Sequence, residues 1–163
     1  MKDRAHRRFA LAVVANLEDA LTVTRHLIQT DLEPQLISVI GQEASFAGER
    51  QNATELARLV SRSAATPKLL VDSNRIVVLA RDCDSLPRAI AKNAASFGKT
   101  LLQWLPPEHA ERLAGAVNRG EFLLLVEVHS MVDERVATRI LLRNCRGSVE
   151  VHDVDAAADE LRL

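Results

Sequence analysis

Two strand-like segments set a carboxylate and an imidazole on alternate positions: Glu127 with His129, and Glu150 with His152. In an extended chain alternate side chains point to one side, so each pair presents its oxygen and nitrogen together. Carboxylate and imidazole are good donors for zinc or another divalent metal. These four residues are the candidate metal ligands. The competing use of the same residue types is ordinary solvated side chains at strand ends, and on balance neither a metal centre nor a cofactor is expected. His26 and His109 fall on predicted helices with no partner four residues away, and both read as solvent-facing. Cys83 lies in Arg-Asp-Cys-Asp, where flanking carboxylates oppose a thiolate. Cys83 and Cys145 stand far apart with no CxxC, which fits two free thiols in a reducing cytoplasm, with a bridge between them as the alternative. No GxGxxG, GxxxxGK[ST], HExxH or GxSxG occurs, and six scattered glycines offer no phosphate cradle. No catalytic residue is assigned, and a non-enzymatic protein is expected.

The elements that would hold these groups start from LPPEHAERLAGAVNRGEFLLLVEV, residues 105–128. Pro106 and Pro107 suit a helix start, where a missing N–H costs nothing. Glu108 and Glu111 favour the opening turns. Ala110, Leu113, Ala116 and Val117 make a stripe at helical spacing, and Gly120 is a natural stop. The run 122–126, FLLLV, does not alternate, so it predicts a central strand covered on both faces. FALAVVA at 9–15 is a second such strand. Asn16 with Asp19, and Ser130 with Asp133, have the spacing of helix N-caps. QLISVI at 35–40 and the alternating residues 148–154 predict two edge strands.

An offset of 113 residues carries Phe9 onto Phe122, Leu11 onto Leu124, Val13 onto Val126 and Leu27 onto Ile140. The pattern is a strand–helix–strand unit repeated without a gap. Two βαβ units with right-handed crossovers predict an α+β fold, a ferredoxin-like split βαβ sandwich in strand order 4-1-3-2. The chain then divides into a basic N-terminal arm (1–8), a first βαβ unit (9–41), a central mixed α/β insertion (42–104), a helix plus second βαβ unit (105–154) and an acidic C-terminal tail (155–163), all one globular domain. Within the insertion, residues 43–51 read as a loop, 52–62 as a helix, KLLVD and RIVVLA as a hairpin, and 84–104 as a helix. The last carries a stripe of Leu86, Ile90, Ala94, Phe97, Leu101 and Trp104 that is read as core.

The order of elements, and above all residues 105–144, resembles the bacterial heat-induced general stress protein family of unknown function. Pro106, Ala110, Leu113, Gly120 and the strand at 122–128 carry the resemblance. It implies a helix ending in glycine, then a strand and a helix, and a link to stress. The family's middle segment is glycine-rich and apolar, whereas residues 42–104 here are charged, so the resemblance implies no membrane role. It supplies no catalytic residues.

With 47% hydrophobic residues and a net charge of −1, the chain reads as a globular protein without a general pull toward nucleic acid or anionic lipid. No apolar run reaches the roughly 20 residues of a membrane span, and peripheral membrane contact is disfavoured. The expected setting is the cytoplasm. The absence of tyrosine, and only Phe9 and Phe122 on the central strands, disfavour an RNA-stacking sheet. Lys2, Arg4, Arg7 and Arg8 read as a solvated basic arm. The expected function is therefore interaction or sensing, through a homodimer or a protein partner, because apolar central strands demand a second covered face. A small-ligand-binding regulatory module of ACT-like or PII-like kind is the alternative, and RNA binding or an enzyme comes third.

Overall fold

The computed structural model describes residues 6–30, 32, 36–61, 69–71, 76–79, 97–145 and 149–155. It is a mixed α/β structure. Six strands form one antiparallel sheet: β1 (His6–Val14), β2 (Ile37–Gln42), β3 (Leu69–Val71), β4 (Ile76–Leu79), β5 (Phe122–Val128) and β6 (Glu150–Asp155), in the order β3-β4-β2-β5-β1-β6. The described helices are α1 (Leu17–Gln29), α2 (Glu43–Ala47), α3 (Arg50–Ser61), α4 (Phe97–Trp104), α5 (Pro107–Asn118) and α6 (Met131–Asn144).

The two unbroken apolar strands lie side by side in the interior of the sheet. β1 pairs with β5 from Arg8↔Val128 to Val14↔Phe122. Their faces are divided by alternation. Ala10, Ala12, Val14, Leu124, Val126 and Val128 pack toward one core with α1, α3 and α6, through residues such as Leu17, Leu27, Leu56, Ala137 and Leu141. Phe9, Leu11, Leu123 and Leu125 pack toward the other, against Leu101, Leu105, Ala110, Leu113 and Val117 of the α4–α5 region. Side chains that alternate across a pleat need this cover on both sides. Because α4 and α5 supply the second cover within the chain, the apolar central strands cease to be an argument for a homodimer.

Both predicted caps form. The Asp19 N–H donates to Asn16 Oδ1 at 2.8 Å, and the Asp133 N–H to Ser130 Oγ at 3.1 Å. These caps also correct the repeat. They are related by an offset of 114, not 113, and the same offset relates Val14 to Val128 and the fully buried Val23 and Leu27 to the fully buried Ala137 and Leu141. An offset of 113 places Leu11, which faces α5, on Leu124, which faces α1 and α6. In a strand one residue of slip exchanges the faces. Identity among interchangeable Val, Leu and Phe concealed that slip.

The insertion joins the sheet. β3 and β4 form the hairpin, with Leu69↔Leu79 and Val71↔Val77, and β4 pairs with β2 through Val39↔Leu79 and Gln42↔Ile76. β2 is therefore an internal strand, not the edge expected for it, and its burial agrees, since Ile37, Val39 and Ile40 are all inaccessible. The loop expected at 43–51 is instead helix α2 and the start of α3. Phe46 anchors α2 by an edge-to-face contact with Phe122, ring centroids 5.0 Å apart. The arm expected at 1–8 already belongs to β1 from His6. Arg7 pairs with Glu127 at 3.7 Å, and Arg8 with Glu134 and Asp153 at 2.9 Å each. Lys2, Arg4, Cys83, Leu86, Ile90, Ala94 and the tail after Asp155 lie outside the described residues, as does the side chain of Trp104. Among the described residues no helix is long and apolar enough to cross a membrane.

Candidate functional site

Glu150 is the one charged residue among the described residues that is buried, at 8% exposure. It sits at the start of β6, the last strand of the sheet among the described residues, opposite Leu11 of β1. Alternation fixes its direction. Val149 and Val151 pack against the α1–α6 core, so Glu150 and His152 face α5. From α5 come His109 and Arg112, one turn apart and in line with the buried Leu113 and Ala116 at helical spacing. His109 Nδ1 and the Arg112 guanidinium both meet Glu150 Oε1, and His152 Nε2 lies 3.3 Å from Glu150 Oε2. The two imidazoles meet edge to face with ring centroids 5.3 Å apart. His109 Nδ1, Glu150 and His152 each offer a ligand atom, and these atoms all lie within 4.8 Å of one another. Burial lowers the His152 pKa below that of free imidazole, and His109, Arg112 and Arg8 lower it further, against a weaker opposing pull from Asp153. His152 therefore favours the neutral form, with a lone pair free on the ring.

The four residues marked as candidate ligands divide into two places. Glu150 and His152 join the cluster. Glu127 and His129 pair with each other at 3.2 Å, with Arg7 beside Glu127. The reason is the register: Phe9 lies opposite Glu127 on one side and opposite His152 on the other. Its buried ring fills the row between the two pairs, so they do not share a site. His109 corrects the expectation of a solvent-facing side chain, for it is only partly exposed and engages Glu150. The available signal was its spacing, one turn ahead of Leu113 on the stripe that packs on the sheet. His26 is exposed, as expected. Phe9 and Phe122 are 2% and 1% exposed, so neither offers a face for base stacking, and Arg7 and Arg8 are held in ion pairs, Arg7 with Glu127 of β5 and Arg8 with Asp153 of β6 and Glu134 of α6.

Beside the cluster lies a groove of about 560 Å³. β6 pairs with β1 only as far as Leu11, and the groove opens where β1 runs on through Val13 and Val14 to Ala15 just beyond its end. α5 supplies one wall with Arg112, Leu113, Ala116 and Arg119, and the end of α6 supplies Asn144 and Cys145. Asp19 and Glu121 complete the lining, so groups of both charges converge on it. Arg112 borders the groove and the Glu150 cluster together. Cys145 is a free thiol whose pKa is pushed up to about 11, first by burial and then by the nearby Asp19 carboxylate. It is a wall of the groove rather than a nucleophile. Comparison of the chain with protein-family models, with curated proteins and with solved structures gave no match.

Proposed function

We propose that the protein is a non-enzymatic sensing module that binds a small polar ligand at the β1–β6 edge of its sheet. The observation that carries this reading is the convergence of polar side chains on an open groove beside the only buried charged group among the described residues. Concave sites of about 300–1,000 Å³ with a few converging polar groups are the usual form of small-molecule sites. The lining carries both signs, with Arg112, Asp19 and an Arg119–Glu121 ion pair at 3.1 Å, which favours a ligand that itself bears groups of both signs. The setting is a ferredoxin-like core, read from the antiparallel order β6-β1-β5-β2 with α1 and α6 on one face and extended by the β4-β3 hairpin. A stress-linked role rests on the resemblance of residues 105–144 alone.

The test is a thermal-shift screen of amino acids, nucleotides and small carboxylates and phosphates, repeated on Ala15→Trp. Ala15 is exposed at the groove rim, so tryptophan there obstructs the groove without entering the core. A ligand at about 100 times its Kd stabilises by about 2.7 kcal/mol, and that shift should vanish in Ala15→Trp. A shift that persists in the variant, or no shift with any class, refutes the reading.

A second reading, self-association, is favoured by α6. Met131, Val132 and Leu142 are 70%, 69% and 57% exposed. Met131 and Leu142 flank a shallow depression that also holds Glu134, Arg135 and Arg139. An exposed apolar strip of this kind can be buried against its own copy about a twofold axis. Sedimentation equilibrium should then give a dimer that Leu142→Arg dissociates, and a monomer at all concentrations excludes it.

A further inference from the structure

We propose that His109, Glu150 and His152 form a binding site for one divalent first-row transition-metal ion, zinc foremost, which displaces Arg112 from Glu150. The inference rests on the placement of the binding site at the β6 edge but does not require the groove to be filled.

Three observations carry it. The first is the donor set. Two imidazoles and one carboxylate suit zinc, cobalt or nickel, whereas calcium and magnesium prefer all-oxygen shells. The second is the geometry. The three ligand atoms lie within 4.8 Å of one another. Tetrahedral ligation at about 2.0–2.1 Å per bond needs them only somewhat closer. Two of them are already held by the sheet, on alternate residues of β6, and the third comes from α5, which packs on the same face. The third is the carboxylate. Glu150 is more than nine-tenths buried, and a carboxylate taken out of water demands a positive partner. Arg112 fills that place, yet its side chain is 49% exposed, so it can turn back into water when a dication takes over. Three protein donors leave a tetrahedral ion a fourth position for water or a bound ligand. Among the described residues the Glu127–His129 pair forms no such site, because no third ligand residue joins it and Phe9 separates it from His152.

Arg112 makes the proposal separable from a plain ion-pair cluster. If the residues serve only to hold α5 on β6, Arg112→Gln weakens the cluster and gives nothing to an added ion. If they form a metal site, Arg112 is the competitor, and its removal tightens binding. The experiment is a Co²⁺ titration of the untagged full chain after chelator treatment, read by visible absorption, with Zn²⁺ competition by calorimetry and Mg²⁺ as the control. The expected result is one equivalent per chain with the strong visible bands of a tetrahedral site. His109→Gln and His152→Gln should each weaken binding by more than about tenfold, and Arg112→Gln should strengthen it. Circular dichroism reports whether each variant is folded, and His109→Gln, at a partly exposed helical position, keeps the test open if His152→Gln does not fold. No saturable Co²⁺ uptake, uptake unchanged in the histidine variants, or weaker uptake in Arg112→Gln overturns the proposal. A ligand-induced thermal shift with no metal uptake would leave the groove reading standing and refute this one. Metal uptake with no groove ligand would do the reverse.

Discussion

The two strand–helix–strand halves of the sheet share a pattern and end differently. β1-α1-β2 and β5-α6-β6 superpose in sequence at an offset of 114, with matching caps and matching buried helix residues. Their second strands part company. β2 is covered on its outer side by β4 and is buried nearly throughout. β6 has no strand beyond it among the described residues and carries Glu150, His152 and Asp153. An internal strand must satisfy its backbone with neighbours and its side chains with core. An edge strand escapes both demands on one side, so polar chemistry can be placed there without breaking the core. The insertion between the halves does part of the sorting, since its hairpin pairs with β2 and its last helix, α4, joins α5 in covering the second face.

The largest effect separates the centre from the edge. Val126→Asp puts an unpaired carboxylate at a position with no exposure, between β1 and β2. Burying such a charge costs several kcal/mol, against a total stability of about 5–15 kcal/mol for a domain. The variant should fail to accumulate as soluble folded protein. Glu150→Met makes the opposite exchange at the edge. Of its partners, Arg112 and His109 are partly exposed and can rehydrate, and the more buried His152 favours the neutral form, so this variant should stay folded, with a change in urea stability of about 1 kcal/mol or less. Equal damage from both substitutions would erase the distinction between centre and edge.

The next effect concerns the groove wall. With its pKa near 11 instead of the usual 9.0, the Cys145 thiolate is about a hundredfold scarcer at pH 8 than that of an ordinary thiol. Native protein should therefore be alkylated slowly at Cys145 and rapidly in denaturant, read by peptide mass spectrometry. The same shift sets a sign for stability. Between the ordinary thiol pKa and 11 the folded state holds a proton that the unfolded state releases, so the thiol's contribution falls as pH rises through that window. Fast native alkylation at Cys145 would mean that the end of α6 opens readily, unlike the rest of the core.

A smaller effect tests why β2 is confined. A Cβ at Gly41 would stand 2.5 Å from Phe122 Cδ1 and 2.7 Å from Cε1, with Phe46 at 3.2 Å. Gly41→Ala should cost about 1–3 kcal/mol through overpacking, and Phe122→Leu in the same chain should recover part of it. The matching position of the second half is Asp155 at the end of β6. An unaffected Gly41→Ala would show that the α2–β5 contact is looser than its aromatic packing indicates.

What could be read in the sequence follows the same division. The central strands, both caps, the hairpin and the α5 stripe were legible because each is a local pattern with one physical cause. The internal place of β2 was not, since whether residues 69–79 pair with β2 is decided between segments far apart in the chain. The offset of 113 failed because apolar identities are nearly interchangeable, while the caps, which depend on single oxygen atoms, marked the true register. Half of the site was legible as the Glu150–His152 alternation. The other half was not, because His109 has no partner in its own helix and acquires Glu150 only when α5 packs across the sheet.

The smallest effect bears directly on the comparison. If the halves are equivalent at an offset of 114, Asn16 and Ser130 perform the same task at helix starts of similar length, each accepting from the N–H three residues on. Removing an N-cap oxygen costs about 1 kcal/mol, which for a chain of this size lowers Tm by roughly 2–4 °C. Asn16→Ala and Ser130→Ala should therefore shift Tm alike, and the double variant should shift it by their sum, since the two caps share no partner. The helices differ in what their first turns meet. Glu49 accepts from the Leu17 N–H at 3.1 Å, a second satisfied donor at the start of α1, while Glu134 near the start of α6 is engaged by Arg8. If Asn16→Ala proves the milder of the two, that extra acceptor from the α2–α3 connection is compensating for the lost cap. Glu49→Ala in the Asn16→Ala background should then restore the full loss.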